Sequence, residues 1–317
     1  MGGKKEKLSP DDGLVIQQFP ELNQRFYDGF VIDYYDIKLS NLLYLVSNAE
    51  KYLDNLCESE LHVGVSKLNF DREDMKSEEV KKYAKLELAT TYYHCLETFI
   101  RMFLAHATLS DCPWLDISRL SIKQYKRKLE CLSRDDFSGL NDILNDNNTI
   151  LFVLSGYSEQ PDEISVEDLL GLSHWISWCA SELLQTYDYN SFKHGLAISP
   201  KPAGFKIQGY NEIKLEAHGD ALEFLSRYEK GNRYVWVRET VWVPYDSRAA
   251  VIYTVSKMMQ NVIKVGRSIH LKEPFNSGWL PSKGWSPKFL HSRDDDQPIK
   301  VTSMKFELAY YKGKDSV

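Results

Sequence analysis

Between Ser77 and Ala107 the chain carries an apolar stripe that only a long helix can explain. Ala84, Leu88, Cys95, Phe99, Met102 and His106 fall on one line when each residue is advanced by 100°. Other segments repeat the pattern. Leu39, Leu42, Leu43, Val46, Ala49 and Leu53 predict a helix over Asp36 to Glu58. Short helices are expected at Ile122 to Leu132 and Phe137 to Leu144. Asp162, Glu163, Glu167 and Asp168 then crowd the positive end of a helix carrying Leu169, Leu172, Ile176, Cys179 and Leu183. On its far side lie His174, Trp178, Ser181 and Gln185, and a tryptophan there suggests a second layer or a partner subunit. A last helix, capped by Asp246 or Ser247, holds Ile252, Val255, Met259, Val262 and Gly266 on its seam. The expected class is mainly α, a helical bundle.

One stretch breaks the helical period. Pro200, Pro202 and Gly204 end it, and alternation of period two follows as far as Pro244. In the strand Arg233 to Val243, Val235, Val237, Val241 and Val243 take one side. Tyr234, Trp236, Arg238, Thr240 and Trp242 take the other. Both faces are bulky, so both are expected to be covered. The organisation is therefore an N-terminal segment over residues 1–35 and a helical domain over 36–272. A small antiparallel β insertion, residues 203–244, precedes its last core helix, and a C-terminal extension follows over 273–317. That extension holds a possible strand at Val301 to Tyr311. The start is lysine-rich, and Glu6 stands where a myristoylation signal needs Ser or Thr.

Charge and cysteine usage narrow the function. A net charge of -6 argues against a dedicated duplex-DNA binder. No apolar run approaches the roughly 20 residues of a membrane span, and no leader pattern opens the chain. The five cysteines are odd in number and without a CxxC pair, as in a reducing, cytoplasmic setting with no disulfide-linked partner. Dinucleotide, P-loop, HExxH, EF-hand and GxSxG signatures are all missing, and no cofactor is expected.

Two clusters remain. On the long helix, Glu87, Thr90, His94, Glu97 and Arg101 form a polar stripe at spacings 3, 4, 3 and 4. It is either a solvated face carrying the Glu97–Arg101 pair or a surface turned toward a partner helix or a site. His94 and Glu97 run in the wrong order for a di-iron helix pair, so no metal is expected there. Lys123, Lys126, Arg127 and Lys128 read as a charged outer helix face in preference to a phosphate track.

The second cluster is Tyr189-Asn190-Ser191-Phe192-Lys193-His194-Gly195. Wound as a helical turn, it puts Asn190 and His194 on one face with Lys193 adjacent. An imidazole there suits general acid or base work, since it titrates near neutrality. His-Gly at a helix end equally reads as ordinary C-terminal capping.

Tyr189 to His194 resembles the Arg-Asn-x-x-x-His motif of HEPN domains, small helical bundles that typically dimerise. They often act as metal-independent endoribonucleases in bacterial defence and toxin systems. The layout over Asp36 to Leu271 is also similar: a long helix with a polar stripe, a helix leading into the motif, and a last apolar helix. The resemblance implies a homodimer, RNA or a nucleotide as ligand, His194 as general base and Asn190 as orienting group. Tyr189 departs from the family's arginine and carries no positive charge. Lys193 or Arg101 would then supply it, with Glu97 and His94 nearby. Without that charge, the same resemblance implies a catalytically inactive module that binds a nucleotide or a partner.

Overall fold

The computed structural model describes residues 14–162, 164–184, 198–208, 213–231, 233–275, 278–281, 286–287 and 303–308. The chain is mainly helical, with small antiparallel sheets. It divides into two compact units: Met1–Asp36, His94–Leu184 and Tyr253–Phe289 in the first, and Ile37–Tyr93, Gln185–Ile252 and Leu290–Val317 in the second.

In the first unit α1 (Phe19–Gly29) follows a short 3-10 turn, with Pro20 in its opening turn, where a missing N–H costs nothing. The unit also takes the C-terminal part of α4 (Ser77–Ala107), then α5 (Pro113–Arg119), α6 (Ile122–Leu132), α7 (Asp146–Ser155) and α8 (Val166–Leu184). It ends with most of α9 (Tyr245–Leu271). The expected stripes face inward: Phe99 and Cys95 on α4, Ile176 and Cys179 on α8, and Val255 and Val262 on α9 are all fully buried. Trp178 is half-buried and meets the buried Trp175 edge-on at 5.9 Å.

Local chemistry sets the boundaries. Ser121 accepts from the Gln124 N–H at 3.3 Å, and the Gln124 side chain returns to the Ser121 N–H at 3.1 Å, closing a capping box for α6. Residues 137–144 form turns, which corrects the expected helix. Asn141 Oδ1 accepts from the N–H groups of Ile143 and Leu144, and Asp136 does the same for Ser138, so side chains take the donors a helix would use. The helix starts later, where Asn145 caps α7 by accepting from Asn148, and it stops at Gly156 in the left-handed region at φ 78°.

In the second unit the expected helix over 36–58 is interrupted at Asn48. This gives α2 (Tyr34–Ser47), whose first turn belongs to the other unit, and α3 (Ala49–Glu58). Ala49 and Leu53 pack on Val80 of α4, and Arg72 ties Asp54 and Glu50 together. A hairpin of β1 (Leu61–Val63) and β2 (Ser66–Leu68) turns through Gly64 at φ 60°.

The larger sheet runs β3 (Ile198–Gln208), β4 (Ile213–Lys230), β5 (Arg233–Trp242) and β6 (Ser303–Glu307), in that order and antiparallel throughout. The C-terminal extension thus supplies an edge strand, with Phe306 opposite Arg238. Leu222, Phe224 and Val243 pack against Leu86 and Ala89 of α4, while Lys85 reaches Asp220 at 2.6 Å. The opposite face corrects the expectation that both sides are covered: Tyr234 is 58% and Trp236 49% exposed.

The five cysteines are free thiols. No helix among the described residues is long and apolar enough to cross a membrane.

Candidate functional site

Tyr189, Asn190, Lys193 and His194 lie outside the described residues. They follow α8, which ends at Leu184, and precede β3, which begins at Ile198. What the structure does place is the polar stripe of α4.

Its two ends differ. Glu87, in the second unit, pairs with Lys38 at 3.5 Å, and the Thr90 hydroxyl donates back to the Leu86 carbonyl. In the first unit Arg101 donates to Glu97 Oε1 through Nε at 3.0 Å and Nη2 at 2.9 Å. The same guanidinium lies over the Tyr125 ring at 4.1 Å. Neither member of the pair is more than about a quarter exposed (27% and 18%), so this stretch packs against α6 and is not a fully solvated face. Stacking on an aromatic ring and pairing with a carboxylate together hold the guanidinium plane fixed. Burial, then the Glu97 charge, pushes the Tyr125 hydroxyl above the ordinary phenol range, and that oxygen has no hydrogen-bond partner. His94 is half-buried, and its carbonyl accepts the Tyr35 hydroxyl at 2.9 Å. Among the described residues no group of three His, Cys, Asp or Glu is placed to hold a metal ion. Lys123, Lys126 and Arg127 are exposed on α6, as read from their spacing.

A second polar centre in the first unit went unread in the sequence. Tyr27 Oη donates to His106 Nε2 at 2.9 Å, and His106 Nδ1 donates to the Met102 carbonyl at 2.7 Å. The His270 ring stacks on Tyr27 at 5.9 Å. Asn23 Nδ2 donates to the Asp111 carbonyl at 2.8 Å and approaches His270 Nδ1 at 3.3 Å. Since a carbonyl only accepts, the amide orientation is fixed and the His270 proton sits on Nε2. Of these, Asn23, His106, Asp111 and His270 border a cleft of about 550 Å3, walled by Phe19, Phe152 and Val265. Two of its lining residues, Asn23 and Ser110, each keep a buried oxygen without a hydrogen-bond partner. Such atoms are the usual mark of a place where water or a ligand supplies the missing bond. No local spacing advertises this centre, because Asn23, His106 and His270 come from three separate helices or helix ends.

Burial lowers the His106 imidazole to about 4, and burial also lowers His270. In the unfolded chain His106 takes up its proton near pH 6.5, whereas in the folded chain it does so only near pH 4. Its contribution is therefore fully present above pH 6.5 and lost as pH falls toward 4, by about 3 kcal/mol. Urea unfolding at pH 7 and pH 4.5 checks this. A clear drop in midpoint at the lower pH is expected, and the drop should shrink in His106→Gln. An equal drop in both proteins would place the acid sensitivity elsewhere.

No family model, no curated protein and no solved structure matches the chain.

Proposed function

We propose that this chain is a HEPN-like, metal-independent endoribonuclease of the kind found in bacterial defence and toxin systems. In this reading it acts in the cytoplasm as a homodimer, with the site at the seam between subunits. One observation supports it: the sequence places Asn190, Lys193 and His194 after α8 in a mainly helical chain, with Asn190 and His194 at the i,i+4 spacing that shares a face in any helical turn.

The chemistry then runs as follows. The His194 imidazole removes the proton from an RNA 2′-hydroxyl, and that oxygen forms a bond to the adjacent phosphorus. The bond from phosphorus to the 5′-oxygen breaks, and the leaving oxygen takes up a proton. The product ends are a 2′,3′-cyclic phosphate and a 5′-hydroxyl. Asn190 orients the reacting groups. Lys193 supplies the positive charge that Tyr189 lacks, as a point charge without the planar fork of an arginine.

Substrate chemistry tests this. Single-stranded RNA should be cut, and its 2′-O-methyl counterpart, which has no nucleophile, should stay intact. Equal cutting of both strands, or of neither, would remove the reading.

A catalytically inactive binding module is the second reading. The Arg101 guanidinium is already engaged by Glu97 and Tyr125, and the cleft beside Asn23 and Ser110 has the unsatisfied polar atoms of a small-molecule pocket. A rise in melting temperature with nucleotides, abolished by Asn23→Leu, is what this second reading expects.

A further inference from the structure

We infer that the exposed face of β4, β5 and β6 is a docking surface for single-stranded RNA. On this face antiparallel pairing sets Arg227 opposite Trp236, and Arg238 opposite Phe306. Arg227 lies over the rings of both Tyr234 (4.8 Å) and Trp236 (6.0 Å), and Arg238 over Phe306 (5.4 Å). Tyr234, Trp236 and Phe306 are 58%, 49% and 41% exposed. Leu225, also well exposed, lies opposite Arg238 on the same face.

Large aromatic rings left in water at this density need a reason, because single exposed apolar residues are common and contiguous ones are not. The pattern of the face gives its chemistry. Residues two apart on a strand stand about 7 Å apart on one side, a step that successive unstacked bases can follow. Aromatic rings offer every base a π-face without regard to sequence, and stacked guanidinium groups meet the phosphates between them.

Charge favours an anionic occupant. Glu223 is taken up by Lys201 at 2.5 Å and Arg238 at 3.3 Å. Among the described residues Arg227 has its two rings for partners and no carboxylate, and its side chain is exposed. Glu229, opposite Tyr234, marks an acidic end to the strip. A duplex would present a cylinder of phosphates with its bases hidden, and the rings would have nothing to stack on. The fit is to a single strand.

The inference rests on the ribonuclease reading only for the choice of RNA, and the test keeps the two apart. Full-length protein is titrated against a fluorescein-labelled, single-stranded 2′-O-methyl RNA of roughly 12 nucleotides, which cannot be cut through its 2′-oxygen. Anisotropy should report binding by wild type. Trp236→Ser and Arg227→Gln should each weaken binding by about 5- to 30-fold at unchanged melting temperature, since both side chains are at the surface. Trp236→Phe should keep most of the affinity, and Arg227→Gln should also flatten the salt dependence. Absence of wild-type binding would overturn the proposal, as would wild-type affinity in both variants. If those variants instead convert a dimer into a monomer in sedimentation while leaving RNA affinity unchanged, the face is a subunit interface and the proposal is wrong. If RNA is bound through this face but never cleaved, the docking surface stands and the ribonuclease reading falls.

Discussion

Gly266→Ala is expected to destabilise the protein by about 3 kcal/mol, a large effect for the addition of a single methyl group. Gly266 lies within α9 in helical conformation, so its role is space rather than backbone freedom. A Cβ there would come within 2.7 Å of both His106 Nε2 and Tyr27 Cε1, and closer still to the Tyr27 hydroxyl. Neither ring can swing away, since Tyr27 is 1% and His106 7% exposed. The added methyl must therefore push the Tyr27 hydroxyl off His106, leaving two buried polar atoms unsatisfied in an overpacked site. Better helix propensity returns about 1 kcal/mol of that loss. Denaturant unfolding checks the result: a lower midpoint with an unchanged slope is expected. Trimming Tyr27 to Leu in the alanine background should cost less than it does in wild type, because the clash has already been made. A Gly266→Ala protein as stable as wild type would mean that the Tyr27–His106–Gly266 contact is not as tight as described.

The long elements were legible because one-sided burial leaves a period behind. The stripes of α4, α8 and α9 each place their apolar residues where the structure buries them. Short elements were not legible in that way. In α1, Asn23, Phe26 and Tyr27 sit at helical steps behind Pro20, and that spacing after a proline was the available signal. The region before α7 misled because Phe137, Leu140 and Leu144 are apolar at helical steps. The Asp136 and Asn141 side chains nonetheless satisfy the local N–H groups, and a helix loses that competition. In β5, alternation gave the two faces correctly but could not say which was covered. The uncovered one turned out to be the aromatic one.

The candidate site was legible only where chemistry is local. Glu97 and Arg101 pair as their spacing implies, while the stacking of Arg101 on Tyr125 joins α4 to α6 across a stretch no periodicity spans. The Asn23–Tyr27–His106–His270 cluster is assembled from parts up to 247 residues apart, as the Asn23–His270 contact shows, and nothing in any one segment announces it.

With His194 proposed as the general base for RNA cleavage, His194→Ala is the substitution expected to have the largest effect on rate. Removing a general base typically lowers the rate by about 10²–10⁴-fold, because the 2′-hydroxyl must then lose its proton to water. If His194-Gly195 is merely a helix cap, the same change costs stability, about 1 kcal/mol, and leaves any cleavage as it was. The two roles thus separate on two axes, rate and melting temperature. The most direct measurement is cleavage of end-labelled RNA in EDTA by wild type beside His194→Ala, with melting curves of both. Cyclic-phosphate ends are expected from wild type, with their loss in the variant and closely matched melting temperatures. Cleavage that persists in His194→Ala, or well-folded wild type that leaves the RNA whole, would contradict the proposed role of His194.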